Sequence, residues 1–227
     1  MRKVQLLDWS LIPYREAWDK QAELFNLVLS QKKEAPTVSD NFLVFCSHNP
    51  VFTLGKSGKI GNLLVNEVFL KSVNAEVVRV NRGGDITFHG PQQLVVYPIL
   101  NLHQFATDIG LYMCNLEEVV ILTLKDFNIK GKRMKDFTGV WIDQKTHPSE
   151  RKICAMGVKT SNWVTMHGLA INVNVDLKYF SYINPCGITD KEVTSMQKEL
   201  GENISMKMVK ESLKKHFEAV FECKLEE

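Results

Sequence analysis

Residues 82–102, from Arg82 to Leu102, read RGGDITFHGPQQLVVYPILNL. The segment before them, Glu76 to Val80, alternates with β-branched residues and predicts a strand. Gly83-Gly84 predicts a tight turn at which backbone can approach a ligand closely, and the apolar run Gln93 to Leu102 predicts a second strand. Arg82, Thr87 and His89 cluster beside the turn. That set could hydrogen-bond a carbonyl or a phosphate-bearing arm, or it could be a surface arginine and a satisfied histidine.

Working outward, Val4 to Leu7 predicts a short strand, and Pro13 opens a helix carrying Ala17, Leu24, Phe25, Val28 and Leu29 at helical spacing. Lys32 to Asp40, with Pro36, predicts a loop before a buried strand at Phe42 to Phe45, and Asn62 to Val73 a short helix. Downstream, Leu111 to Phe127 predicts an amphipathic helix with Glu117 and Glu118 toward solvent. Gly139 to Ile142 and Lys152 to Val158 flank DQKTHPSER as a hairpin with Pro148 and Ser149 at its tip. A strand follows at Leu169 to Val175. Met208 to Phe221 then forms a peripheral docking helix capped by Ser205, with Gly201 to Ser205 as the one candidate boundary. Strands, a central hairpin and scattered helices favour an α+β fold over a doubly wound parallel sheet.

The chain has 227 residues, 44% hydrophobic and 24% charged, with 13 Gly and 7 Pro, which excludes a disordered or collagen-like chain and fits one domain over 1–227. Lys and Arg exceed Asp and Glu by 28 to 26, too small a margin for a chain-wide case for nucleic acid or membrane binding. Apolar runs such as Leu94 to Leu100 and Val119 to Leu122 fall far short of the roughly 20 residues of a membrane span. Asp8, Arg15 and Glu16 interrupt anything resembling a signal peptide, so a cytoplasmic protein is expected. Five cysteines without a CxxC pair argue against a disulfide framework or a structural zinc site.

Three further segments could carry chemistry. In Lys152-Ile153-Cys154-Ala155-Met156-Gly157, strand alternation would place Lys152 and Cys154 on one face; the simpler readings are an exposed lysine and a small core thiol. Asn184-Pro185-Cys186-Gly187 is a turn able to present a thiol, since Pro185 fixes the backbone and Gly187 leaves the sulfur uncrowded, although free thiols are usually buried. Met166-His167-Gly168-Leu169-Ala170-Ile171-Asn172-Val173 adds a His-Gly entry to an apolar strand. His89, His167 and Cys186 lack metal-ligand spacing, and no metal is assigned.

Together, HNPVFTLGKSG (48–58), the Arg82 to Leu102 stretch, TGVWID (138–143), KICAMGVK (152–159), MHGLAINV (166–173) and INPCG (183–187) resemble the lipoyl(octanoyl) transferase family of lipoate biosynthesis. The resemblance implies the α+β catalytic domain shared with biotin protein ligases and lipoate-protein ligases, with mixed β-sheets flanked by helices. It implies transfer of octanoyl from acyl carrier protein to a lysine of apo lipoyl domains, those of 2-oxoacid dehydrogenase E2 subunits and the glycine cleavage H protein. Neither ATP nor any cofactor is implied, and a monomer is expected. By resemblance Cys186 is the acyl-accepting nucleophile and Lys152 its partner. Arg82, Gly83, Gly84, Asp85, Ile86, Thr87, Phe88, His89, Ala155, Met156, Gly157, Gly168, Leu169 and Ala170 line the acyl site. The rival readings are an ATP-dependent lipoate or biotin ligase, a non-catalytic lipoyl-domain binding module and a thioesterase that releases free acid by water attack. Cys154, so near Lys152, is the internal rival for nucleophile. The basic run Lys130, Lys132, Arg133 and Lys135 is either a surface for acidic carrier domains or a solvated loop. One position departs from the family's HGPGQ: Gln92 replaces the second glycine, and a positive φ there would strain the loop edge.

Overall fold

The apolar runs become strands covered on both faces. The computed structural model describes residues 2–142, 150–184 and 192–227. In chain order the elements are β1 (Arg2–Leu11), α1 (Tyr14–Glu34), β2 (Phe42–Ser47), β3 (Val51–Leu54), α2 (Glu67–Ser72), β4 (Glu76–Arg79), β5 (Ile86–His89), β6 (Gln93–Ile99) and α3 (Ile109–Asp126). There follow β7 (Gly131–Met134), β8 (Phe137–Ile142), β9 (Arg151–Ser161), β10 (Val164–Asn172), β11 (Glu192–Val193), α4 (Met196–Leu200), α5 (Met206–Phe221) and β12 (Cys223–Glu226). The larger sheet runs β12-β1-β2-β6-β10-β9-β8-β7, with β11 added parallel to β9. Its β12-β1-β2 edge is parallel and the rest of the path antiparallel, so the sheet is mixed. A small sheet, β4-β3-β5, stands beside it. The fold is α+β.

Strand alternation explains why both faces had to be covered. Leu43, Phe45, Leu94 and Val96 enter the main core with α3 and α5, whereas Val44, Cys46, Val95 and Tyr97 turn to the other face with Ala17 of α1. Phe25 and Val28 of α1 extend that second layer over Phe42 and Ile99.

Several expectations are corrected. The final helix is a wall of the core and not a peripheral element: α5 buries Val209, Leu213, Phe217 and Phe221, each side chain stabilising by roughly 2 kcal/mol. Gly201 is the left-handed C-cap of α4. Within α3, Glu117 is buried, its carboxylate accepting from the Gly139 backbone N–H and pairing with Arg133. Beyond the Gly83-Gly84 turn, Ile86–His89 forms β5, a strand not expected from the sequence. The strand expected at Leu169 starts earlier and ends at Asn172. Half of the basic run lies in the edge strand β7, and that half is paired: Lys132 with Glu150 and Arg133 with Glu117 and Glu118. Pro148 and Ser149, the expected hairpin tip, lie outside the described residues.

Gly90 to Gln93 close a turn in which the Gln93 N–H donates to the Gly90 carbonyl at 3.3 Å. Pro91 takes its second position and Gln92 its third with φ 65°, the place where glycine is normally required. The Asn174 N–H donates to the Gln92 carbonyl at 3.0 Å and holds that conformation. Gln92→Gly is expected to stabilise the fold by about 0.5–1 kcal/mol, the relief of left-handed strain less the entropy glycine adds to the unfolded chain. A urea midpoint that fell would contradict this.

Candidate active site

A cavity of about 590 Å3 opens between the small sheet and strands β9 and β10. Its walls bring together Arg82, Gly83, Gly84, Asp85, Ile86, Thr87 and His89 with Lys152, Ala155, Met156 and Gly157 and with Gly168, Leu169 and Ala170. These residues come from three separate stretches of sequence. Phe88 is not on the wall: it points into the small sheet's core, where its ring stacks on Tyr179 with centroids 4.4 Å apart. Cys186 lies outside the described residues.

A bulge in β9 decides which side chains reach the cavity. Val140 of β8 stands opposite Cys154 while the next residue, Trp141, stands opposite Lys152, so Ile153 is an extra residue in β9. Simple alternation is broken there. Ile153 and Cys154 both enter the main core, and Lys152 and Ala155 both face the cavity. The expectation that Lys152 and Cys154 share a face is therefore wrong. The Cys154 thiol is fully buried, donates to the Ala155 carbonyl at 3.5 Å, and is pushed up in pKa by that burial. Lys152 instead holds its Nζ 4.6 Å from the centroid of the Trp141 ring, a contact that favours the ammonium.

The Arg82–Asp85 turn is fixed by hydrogen bonds rather than left open for ligand. Arg82 is buried; its Nη2 donates to the carbonyl and Oγ1 of Thr53 at 2.7 and 2.8 Å, and its Nη1 to the Gly83 carbonyl at 2.9 Å. The Gly83 N–H donates to the Val158 carbonyl at 2.9 Å and joins the turn to β9. Gly157 makes that approach possible, since a Cβ there would lie 2.8 Å from the Gly83 oxygen. Asp85 accepts from the backbone N–H of Ile86 at 2.7 Å and from Asn62 Nδ2 at 2.6 Å.

A buried relay defines the protonation of His89. The Thr194 carbonyl can only accept, so Asn172 presents Nδ2 to it at 2.9 Å and turns Oδ1 toward Gln93. Gln93 must then donate through Nε2, at 2.9 Å to Asn172 and 3.2 Å to the Phe88 carbonyl, which leaves Oε1 to accept from His89 Nδ1–H at 2.8 Å. His89 Nε2 carries the lone pair. Burial, with the nearby His48 and Arg82, lowers the His89 pKa to about 3, so the ring accepts hydrogen bonds at neutral pH without taking a proton. The same relay anchors the lysine, because the Thr194 N–H donates to the Lys152 carbonyl at 2.9 Å.

Sequence reasoning assigned no role to Gln93, Asn172, Thr194 or Trp141. Trp141 and Asn172 lay in quoted motifs with nothing to mark their partners. Tyr14, which stacks on His89 at 5.8 Å, carried no signal at all.

Gly168 serves packing as well as the wall. A Cβ there would lie 2.1 Å from the Val96 oxygen and 2.7 Å from Pro98 Cδ, so β6 could not approach β10. Gly168→Ala is expected to cost about 2–3 kcal/mol, read as a lower urea midpoint; an unchanged midpoint would refute the close approach.

Among the described residues no group of His, Cys, Asp or Glu could hold a metal ion, and no helix is long and apolar enough to cross a membrane.

Comparison with known proteins places the chain in a family. An octanoyltransferase of Cytophaga hutchinsonii is 50% identical, aligned over 99% of this chain and 95% of its own. A solved lipoate protein ligase from Thermoplasma acidophilum superposes with a TM-score of 0.74 at 15% identity, over 100% of this chain and 87% of that one. Biotin protein ligase from Aquifex aeolicus matches at a TM-score of 0.50 and 14% identity, over 98% and 71%. Residues 13–218 match the family described as lipoyl protein ligase A/B catalytic domain. With the fold shared across those ligases and half of its residues identical to an octanoyltransferase along nearly its whole length, the chain belongs to the lipoyl protein ligase A/B catalytic-domain family, on its octanoyltransferase branch.

Proposed function

We propose that residues 1–227 act as one catalytic domain that moves octanoyl from acyl carrier protein to a lysine of apo lipoyl domains, through a thioester on Cys186. The acceptors are the lipoyl domains of 2-oxoacid dehydrogenase E2 subunits and the glycine cleavage H protein, and the enzyme works as a cytoplasmic monomer without ATP. One observation carries this reading. Phe180 and Val193, from the described chain on either side of Cys186, both line the cavity that holds Lys152, and Val193 pairs directly with Lys152. None of the four described cysteines lines it.

The pair suits the chemistry. A thiol with pKa about 8.5 is only a few per cent thiolate at pH 7, and the thiolate is the nucleophile. An ammonium about 4 Å away at an effective dielectric near 20 contributes roughly 4 kcal/mol before desolvation, against about 1.4 kcal/mol per pKa unit. In the resting pair the thiol proton is held on Lys152 as the ammonium, and the Cys186 thiolate attacks the octanoyl carbonyl. The carrier thiolate departs with the proton returned by Lys152. The neutral lysine then accepts a proton from the lipoyl-domain amine as that amine displaces Cys186, restoring the thiolate and ammonium. Arg82 through Thr87, His89, Ala155 to Gly157 and Gly168 to Ala170 enclose the acyl chain.

The test is intact-protein mass spectrometry after mixing with octanoyl-acyl carrier protein without ATP, followed by apo lipoyl domain. An octanoyl adduct on Cys186 that chases onto the lipoyl domain is expected. Transfer that appears only with free octanoate and ATP would place the protein with the ligases whose fold it shares.

A further inference from the structure

Segment 56–71 forms an outer layer over the cavity wall. The Lys56 N–H donates to the Arg82 carbonyl at 2.9 Å, the Ser57 N–H to the Gly84 carbonyl at 3.2 Å, and Asn62 Nδ2 to Asp85 at 2.6 Å. The same segment grips the chain just before Cys186: the Asn184 N–H donates to the Asn62 carbonyl at 2.8 Å and the Leu64 N–H to the Tyr182 carbonyl at 2.9 Å. From this layer Ile60, Leu64 and Val68 project into solvent, 60%, 60% and 77% exposed. Other large exposed apolar side chains, such as Leu11, Leu27, Trp163 and Met208, are spread along the chain. Lys56, Lys59 and Lys71 are exposed around the three, with Glu67 the sole acidic side chain of the segment, and none of the lysines forms an ion pair with a described residue. The basic run at β7 is different, because its Lys132 and Arg133 already pair with glutamates.

We propose that Ile60, Leu64 and Val68, with Lys56, Lys59 and Lys71, form the docking surface for the acidic carrier that delivers the octanoyl thioester. The assignment rests on the octanoyl-transfer reading above. Exposed apolar side chains interspersed with unneutralised cations, on a segment bonded to the cavity wall at Arg82, Gly84 and Asp85, suit a partner that presents carboxylates around an apolar face. The donor's arm bears a phosphodiester that Lys56 and Lys59 attract, whereas the acceptor brings a lysine that they repel. The surface is continuous with the cavity wall through Asp85 and with the chain leading to Cys186 through Asn184.

The experiment compares the wild type with two triple variants, Lys56→Glu/Lys59→Glu/Lys71→Glu and Ile60→Ser/Leu64→Ser/Val68→Ser. Single-turnover loading of Cys186 is followed by intact mass with octanoyl-acyl carrier protein and, separately, with octanoyl-pantetheine, which has no protein to dock. The chase from loaded enzyme to apo lipoyl domain is a third measurement. Loading from the carrier protein should fall at least about tenfold in both variants, and the charge-reversed variant should lose the salt dependence of the wild type. Loading from octanoyl-pantetheine and the chase should be unchanged. Equal loading from the carrier, a matching loss with octanoyl-pantetheine, or a loss confined to the chase would each overturn the assignment. A wild type that gains no adduct from either donor would remove the transfer reading on which it rests.

Discussion

Lys152→Met is expected to slow loading of Cys186 at pH 7 by about 10²–10³-fold, and Cys186→Ala to abolish the adduct. Two losses multiply in the lysine variant. Without the ammonium the thiol returns to a pKa near 8.5, where about 3% is thiolate at pH 7, roughly a thirtyfold penalty. The departing carrier thiolate also loses its proton donor, a further factor of about ten or more. The first loss is recoverable: between pH 7 and 8.5 loading of Lys152→Met should climb with the thiolate fraction and then level off. Lys152→Arg separates the roles further. A guanidinium above the Trp141 ring keeps the charge but does not release a proton, so the thiolate should still form while leaving-group departure and the final aminolysis stay slow. Rapid-quench intact mass reads both steps. Loading of Lys152→Met at the wild-type rate at pH 7, or a flat pH profile, would show that Lys152 does not activate the thiol. Cys154→Ala should keep its adduct, because Cys154 is sealed in the core behind the bulge.

The same bulge marks where sequence and structure part. Strand existence was legible wherever apolar residues ran without interruption, as at Phe42 to Phe45 and Gln93 to Ile99, because burial on two faces leaves no polar face to read. The α1, α3 and α5 helices were legible from spacing and from Pro13 and Ser205 at their starts. The short edge strands β7 and β12 were not, since charged residues such as Lys132, Arg133 and Lys224 blunt a sheet edge and look like loop. The residues around the cavity could be named from motifs, but not their orientation. One inserted residue, Ile153, sends Cys154 to the core and Lys152 to the cavity, and no periodicity in KICAMG announces it. Glu117 was misplaced for a related reason: a helix face toward solvent in isolation is buried once β8 packs across it and Gly139 donates to its carboxylate. Long-range pairings such as Tyr14 with His89 or Thr194 with Lys152 are set by topology, which local pattern does not encode.

Acidification from pH 7.5 to 5.5 is expected to remove roughly 3–4 kcal/mol of folding stability. Behind the cavity His48, His89 and His167 are buried together with Arg82, Tyr14 and Tyr97. Each imidazole is held neutral. His48 donates Nδ1–H to the Ile12 carbonyl at 2.9 Å and accepts from the Tyr97 hydroxyl at 2.7 Å through Nε2. His167 holds Asn81 at 2.7 Å. Burial lowers the pKa of His48 to about 4 and, with the Arg82 guanidinium adding to it, those of His89 and His167 to about 3. The unfolded chain binds protons at these groups near pH 6.5, so below that value it carries up to three protons that the folded chain refuses. Stability is therefore full above about pH 6.5 and falls as the pH drops toward the folded values, each histidine contributing about 1.4 kcal/mol per pH unit in that window. The carboxylates with lowered pKa, Asp126 and Glu199, act in a separate range. Their ionised forms are held by Ser212 and His216 and by Arg151 and Thr194, and those contacts are lost only as the pH falls below the ordinary carboxylate range. Urea midpoints at pH 7.5, 6.5 and 5.5 thus read the histidine cluster before the carboxylates respond. A midpoint that does not move across that range would mean the three rings are protonated in the folded protein, against the burial that lowers their pKa.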